Sequence, residues 1–214
     1  MVMTDERKKK KKRDIIPLAI FFQEMDLPEE EKTKRENLAR EIETAVLTYF
    51  VDLNEAKSSE DEEKHDTHYL LDALYETIMA LLLAFLGLRV ASAFLEDYLH
   101  GMIDEVGDVT ERRYAEDPYW TSDDRATVIG ENTANYTGNY GEWIQAIREG
   151  KTKKVWHGML DDRERPTHIV SEDQTVDILE PFTVGGFLLM FPTDTSLGAP
   201  PSETANCRCV LEYK

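Results

Sequence analysis

The sequence predicts an α+β protein, with a long-helix segment followed by a small C-terminal α+β domain of short antiparallel strands. Three observations predict it. Apolar residues recur at helical spacing through the first two-thirds of the chain. After Lys151 the texture changes to short β-type runs separated by Gly and Pro. And 41% apolar with 9% aromatic residues over 214 positions is enough to build a core. The expected organisation is a basic arm over 1–25, a helical region over 26–121 and an appended domain over 122–214.

The arm carries seven consecutive basic residues, Arg7, Lys8, Lys9, Lys10, Lys11, Lys12 and Arg13. Without residues 1–13 the formal charge falls from −18 to −23. An acidic body repels nucleic acid, whereas the arm, expected to be unstructured alone, could touch phosphates such as packaged DNA. Its plainer reading is a solubilising tail, or a tether to the acidic surface. No signal peptide is expected, because the apolar stretch after the basic run is short and interrupted by Pro17. Two cysteines without an export signal point to synthesis in a reducing cytoplasm.

The first helix is expected to start behind Asp26 as its cap, with Pro28 and Glu29–Glu31 in its first turn. Leu38, Ile42, Val46, Tyr49 and Leu53 then mark its buried face, and Asp52–Asn54 its end. A polar, acidic loop follows. The second helix is expected over 67–106, ending near Gly101 and Gly107. Its apolar centre makes it a core element of a helical layer or a surface for self-association. The apolar run Ile78–Leu88 is about half the ~20 residues that span a bilayer, and Arg89 interrupts it, so no membrane partner is expected. Ser122 should cap a third helix reaching Gly150. Gly130, Gly138 and Gly141 imply either a break in it or a close neighbour to its backbone. Among the strands, Gly185–Gly186 suits a two-residue hairpin.

The segment Lys154–His168, "KVWHGMLDDRERPTH", brings Trp, Asp, Arg and His together. Mixed charges are usually a solvated cluster, but around a Trp they can form a buried network in which every charge needs a partner. Both cysteines lie near the C-terminus, Cys207 and Cys209, one residue apart. On a strand, positions i and i+2 face one way, so two thiolates with His157 or His168 would make a tetrahedral Zn²⁺ set. The plainer reading is two small buried side chains. A disulfide between them is not expected, since Cα atoms about 6.6 Å apart stand at the edge of what the bond tolerates.

The pattern W-x4-D-x-R-x-R-x2-H, read on Trp156, Asp161, Arg163, Arg165 and His168, precedes N-C-R-C on Asn206, Cys207, Arg208 and Cys209. Together they resemble the head morphogenesis domain of tailed bacteriophages, the minor head proteins similar to the F protein of phage Mu. Arg125, Ile129 and Glu131, then Gly150 and Lys154, extend the likeness upstream, so that it covers about residues 122–214. Gly130 stands where the family has Thr before the Glu, and the family's glycine after the histidine is missing. The resemblance implies a non-enzymatic virion component, made in the host cytoplasm and placed inside the head or at the portal vertex. Its partners would be the portal or major capsid protein of the same virion, and it would assist head assembly or genome packaging and ejection. The motif would then be a structural polar cluster: Trp156 an anchor, Asp161 the counter-ion of Arg163 or Arg165, Glu131 an acceptor for an arginine, and His168 a carbonyl donor or a zinc ligand. The alternative is a nuclease or transferase with His168 as base, Arg165 or Arg163 on a developing anion and Glu131 as second acid–base group. No phosphate loop, serine elbow or HExxH motif accompanies it.

Overall fold

The computed structural model describes residues 18–59 and 67–214. The basic run Arg7–Arg13, and most of the acidic loop, therefore lie outside the described residues. A short turn α1 (Leu18–Phe21) leads into α2 (Glu29–Ser58), followed by α3 (His68–Leu86), α4 (Ala93–Arg113) and α5 (Asp123–Arg148). A 3₁₀ turn at Pro118–Thr121 joins α4 to α5. Then come β1 (Lys153–His157), α6 (Pro166–Ile169), β2 (Thr175–Asp177), β3 (Phe182–Val184), β4 (Phe187–Leu189), α7 (Pro201–Thr204) and β5 (Val210–Tyr213). The α+β class holds: long helices first, short antiparallel strands last.

The expected face of α2 is the buried one, with Leu38, Ile42, Val46, Tyr49 and Leu53 all at or below 3% exposure. Its cap differs. Pro28 occupies the cap position, and no side chain caps the helix. Its start therefore rests on the acids Glu29, Glu30 and Glu31 beside the exposed amides, and the helix runs past Asn54 to Ser58. The single helix expected over 67–106 is two. Gly87 takes a left-handed φ of 63° and stops α3, and Ser92 then caps α4 by accepting from the Leu95 amide at 3.3 Å. α4 passes straight through Gly101 and Gly107. Gly107 lies under Leu71, whose Cδ1 would be 2.7 Å from an added Cβ.

Helix α3 is also not buried on all sides. One stripe, Leu70, Leu74, Ile78 and Leu82, enters the core. With 19 residues it is long and apolar enough to cross a bilayer by length and composition, more than its apolar run alone suggests.

Helix α5 matches its predicted ends. Ser122 accepts from the Arg125 amide at 3.3 Å, and Gly150, at φ 76°, closes the helix as the Lys151 amide returns to Ala146 O. Its glycines are explained by close approach. A Cβ on Gly130 would sit 2.5 Å from Ala39 O, and one on Gly138 would sit 2.2 Å from Arg35 Nε. Helix α2 thus lies directly on the glycine face of α5. Arg125, part of the motif, is nearly buried and ties three elements together. It donates to Thr110 Oγ1 and Trp120 O at 2.5 and 2.6 Å, with its guanidinium over the Phe50 and Trp120 rings.

The strands form a three-stranded antiparallel sheet in the order β2-β1-β5 and a separate β3–β4 hairpin. The hairpin turns on Gly185 and Gly186, at φ 60° and 86°, as expected of a two-residue loop. The helical core also takes in Phe191 and Val210 from the C-terminal residues. A smaller cluster of Trp156, Phe182, Val184, Leu189, Ala199 and the two cysteines lies beneath the sheet.

Arg35, like Lys154 and Asp194, is a charged residue at 0% exposure. Its guanidinium donates to Glu31 at 2.8 Å, Glu142 at 2.7 Å, Asn135 Oδ1 at 2.7 Å and Asn139 Oδ1 at 2.8 Å. The two amides then donate onward, Asn135 to Cys207 O at 2.7 Å and Asn139 to Pro192 O at 2.8 Å. Arg35→Ala would leave the largely buried Glu142 carboxylate and both asparagines without their cation. The expected loss is about 3–5 kcal/mol in urea unfolding, the range for breaking a buried pair from one side. Gly138→Ala should also destabilise, by about 1–3 kcal/mol, because its Cβ claims the space of the guanidinium.

Candidate functional site

The motif residues converge at the end of the sheet. Strand β1 carries Trp156, which is fully buried and packs edge-on against His168 at 5.6 Å and Phe182 at 5.3 Å. Its indole Nε1 has no hydrogen-bond partner. After β1 the chain turns through Leu160 to Arg165. Pro166 sets the first turn of α6, and the His168 amide bonds back to Arg165 O at 2.9 Å. This turn places the imidazole inward, at 1% exposure.

Opposite it, Asn206 adopts a left-handed φ of 56°, a conformation asparagine tolerates. Its amide donates to Asn132 Oδ1 at 2.6 Å, and Asn132 Nδ2 donates to Asn206 Oδ1 at 3.2 Å. This reciprocal pair turns the chain into Cys207–Cys209. The cysteines precede β5 rather than lying in it, since the strand begins at Val210. Their sulfurs nonetheless meet the same atom: His168 Nδ1 lies 3.3 Å from Cys209 Sγ and 3.6 Å from Cys207 Sγ. Both thiols are free, at 2% exposure.

The two thiols are pushed in opposite directions. The hydrogen bond from Cys209 draws Cys207 well below its ordinary value against the effect of burial, and the imidazole adds to this. The same bond pushes Cys209 up, with burial and the charges of Cys207 and Glu164 acting in the same sense. For His168, burial favours the neutral ring. The bond to Cys207 and its charge outweigh that and hold the imidazole above its ordinary value.

The charged members of the motif form a second layer. Arg208 donates to Asp161 Oδ1 at 2.8 Å and reaches Glu24 at 3.4 Å. Arg163 also binds Glu24, and stands 3.6 Å from Asp161. Arg165 donates instead to the Ala205 carbonyl. Asp161 is therefore chiefly the counter-ion of Arg208, with Arg163 second. Burial alone would raise the Asp161 carboxyl, but the bond from Arg208, the Arg163 amide and the charges of both arginines together hold it below its ordinary range.

Two sequence expectations are corrected. His157 does not join the thiols. It sits on β1 opposite Val210 of β5, and its ring is held at the surface by Glu172 at 3.1 Å and Glu212 at 3.5 Å. It belongs to a separate cluster with Glu172 and Asp173. Nor does Glu131 accept from an arginine. It lies in the interface of α5 with α2, at 2% exposure, with Oε1 unpartnered. Among the described residues, no hydrogen bond or ion pair joins it to His168 or Arg165. Sequence reasoning missed Glu164, whose Oε1 lies 3.6 Å from Cys209 Sγ, and Glu24 and Glu203, which face the arginines and His168. Glu164 was hidden inside the charged run. Only Gly158 permits its position, since a Cβ there would come 1.9 Å from Glu164 Oε1. Lys154 was legible only as a motif position. It is fully buried under the Phe182 and Trp143 rings, donates to Met190 O at 2.5 Å, and is lowered by burial to about 8.

Burial, with the nearby Glu43 charge, pushes the Glu131 carboxyl up from 4.5 to about 8. The folded state therefore holds a proton there that the unfolded chain releases. Its contribution to stability is complete below about pH 4.5 and is lost as pH rises through about 8. Glu131→Gln should flatten that decline, so that the variant gains on the parent by about 1–3 kcal/mol between pH 5 and pH 8, within the roughly 1.4 kcal/mol per pH unit that proton linkage sets. Urea midpoints measured from pH 5 to pH 8 check this. Parallel curves for the two proteins would contradict it.

No protein-family model, curated protein or solved structure matches the chain, so its function is read from the geometry of its own residues and from its motif.

Proposed function

We propose that the protein is a minor structural component of a tailed-bacteriophage head, with the C-terminal cluster serving architecture and not turnover. The observation that carries the reading is that the core of the motif on which the family resemblance rests folds into one buried cluster, with Arg163 and Asn206 at its exposed rim. Trp156, His168, Cys207, Cys209 and Arg208 are all at or below 6% exposure. Each charged member is matched: Arg208 to Asp161, Arg163 to Glu24, Arg165 to a backbone carbonyl. Such a knot specifies one arrangement of a small fold.

The trio needed for a nuclease or transferase lacks that support. A cleft of about 960 Å³ runs between α4, α5 and the residues around Asn206. Its walls include Tyr98, Arg113, Trp120 and Asn132, but not His168, Arg165 or Glu131. Catalysis needs its groups within reach of a shared substrate atom.

On this reading the protein is made in the host cytoplasm and joins the particle at the head interior or portal vertex. Its partners there are the portal or major capsid protein of the same virion. The half-buried apolar surface of α3 offers a contact for such a partner or for a second copy. The basic arm would reach packaged DNA.

Particles purified from cells that encode the chain provide the test. Mass spectrometry should find the protein in a few copies per particle, and antibody labelling should place it inside the head or at the portal vertex. Its absence from purified particles would sink the proposal.

A further inference from the structure

The most ordered chemistry in the molecule is the meeting of three buried soft donors, and this inference stands independently of the virion reading. We propose that His168 Nδ1, Cys207 Sγ and Cys209 Sγ are preformed ligands of a structural Zn²⁺ site, with Glu164 closing its fourth vertex.

The spacing fits the ion. With Zn–S about 2.3 Å and Zn–N about 2.0 Å, a tetrahedral site separates its nitrogen and sulfur vertices by about 3.5 Å. The observed separations are 3.3 and 3.6 Å, and all three donor atoms lie within 4.8 Å of one another. Thiolates plus imidazole in a tetrahedral frame select zinc over the hard cations that prefer oxygen. Glu164 is the carboxylate beside Cys209; it stands outside the trio itself and has to shift to complete the tetrahedron. Its Oε1 already lies 3.6 Å from Cys209 Sγ, and its other oxygen accepts the Leu160 amide at 2.5 Å. The bare backbone of Gly158 is what leaves room for that carboxylate.

The support behind the ligands has the form such sites use. A zinc-bound histidine commonly turns its other nitrogen to a carboxylate. Here His168 Nε2 stands 3.4 Å from Glu203 Oε2, which is itself held by Thr167 at 2.8 Å. The carbonyl of Cys207 is fixed by Asn135. The alternative cluster, His157 with Glu172 and Asp173, is a partly exposed ion-pair group without sulfur.

The full chain, purified and dialysed against micromolar Zn²⁺, should retain one Zn²⁺ per molecule by elemental analysis. Replacement by Co²⁺ should give sulfur-to-cobalt charge-transfer bands with the visible spectrum of a tetrahedral ion. Returning Zn²⁺ to chelator-stripped protein should release protons and raise the thermal midpoint. Cys207→Ser should lose the charge-transfer intensity or the ion, whereas His157→Ala should keep both. Glu164→Gln should weaken Zn²⁺ affinity by at least the roughly tenfold that losing a supporting group costs. Folded parent protein without zinc and without the cobalt bands overturns the site. Loss of the ion in His157→Ala overturns the ligand set, and unchanged affinity in Glu164→Gln overturns its fourth vertex.

Discussion

A single guanidinium, buried between α2 and α5, sets the positions of groups far from it. Arg35 is surrounded by two carboxylates and two carboxamide oxygens. A cation donates only, so it dictates which way each asparagine turns. With Oδ1 of Asn135 and Asn139 facing Arg35, their amino groups must face outward, onto Cys207 O and Pro192 O. Burial holds the Glu142 carboxyl above its ordinary range, and Arg35 pulls against that. The cost of burying such a charge is tolerable because four of the five N–H groups have partners, two of them carboxylates. The glycine at position 138 is part of the same constraint, since any side chain there would occupy the volume of the guanidinium.

The sulfur cluster inherits its geometry from this contact. Asn135 fixes the carbonyl of Cys207, Asn132 fixes the backbone of Asn206, and Arg165 fixes the carbonyl of Ala205. Three consecutive residues are thus anchored from outside before either thiol meets the imidazole. Two of those anchors come from α5. On the other side, Glu24, from the turn between α1 and α2, binds Arg163 and Arg208 together. The helices therefore do more than precede the sheet in sequence. They supply the polar groups that leave the Cys207–Cys209 backbone one conformation.

How much of this the sequence discloses depends on the range of the interaction. Local signals are legible: the apolar spacing of α2, the Ser122 cap, the Gly150 stop, the paired glycines of the hairpin. Each is written within a few residues of where it acts. The same signals mislead where two of them conflict. Continuous apolar character through 67–106 outweighs one glycine on paper, but the left-handed turn at Gly87 decides the chain's path. Arg35, Asn135 and Asn139 carry no local mark at all. Their partners lie about a hundred residues away, and a polar residue on a helix reads as a solvated face until its neighbour is known. Histidine choice fails for a related reason. His157 and His168 stand in the same short segment upstream of the cysteines, and the pairing of β1 with β5 sends His157 to the surface.

The polarity of the motif's core points mostly inward, which is the feature the architectural proposal rests on. A catalytic histidine needs one nitrogen free for the reacting atom and a path for its proton. In this knot Nδ1 faces two sulfurs and Nε2 faces Glu203, while Trp156 covers the ring edge. Every direction from the imidazole ends on the protein's own atoms. Arg163, Arg165 and Arg208 likewise face carboxylates and carbonyls, whereas Arg125 and Asn206 border the cleft between α4 and α5. Groups so enclosed exchange hydrogen bonds with water for hydrogen bonds with one another, although among the described residues Trp156 Nε1 and His168 Nε2 are left without one. The requirement for partners accounts for a tryptophan, a histidine and two cysteines buried together beneath exposed neighbours such as Arg163 and Asn206, and it is the same requirement that a tetrahedral ion at the centre would meet most fully.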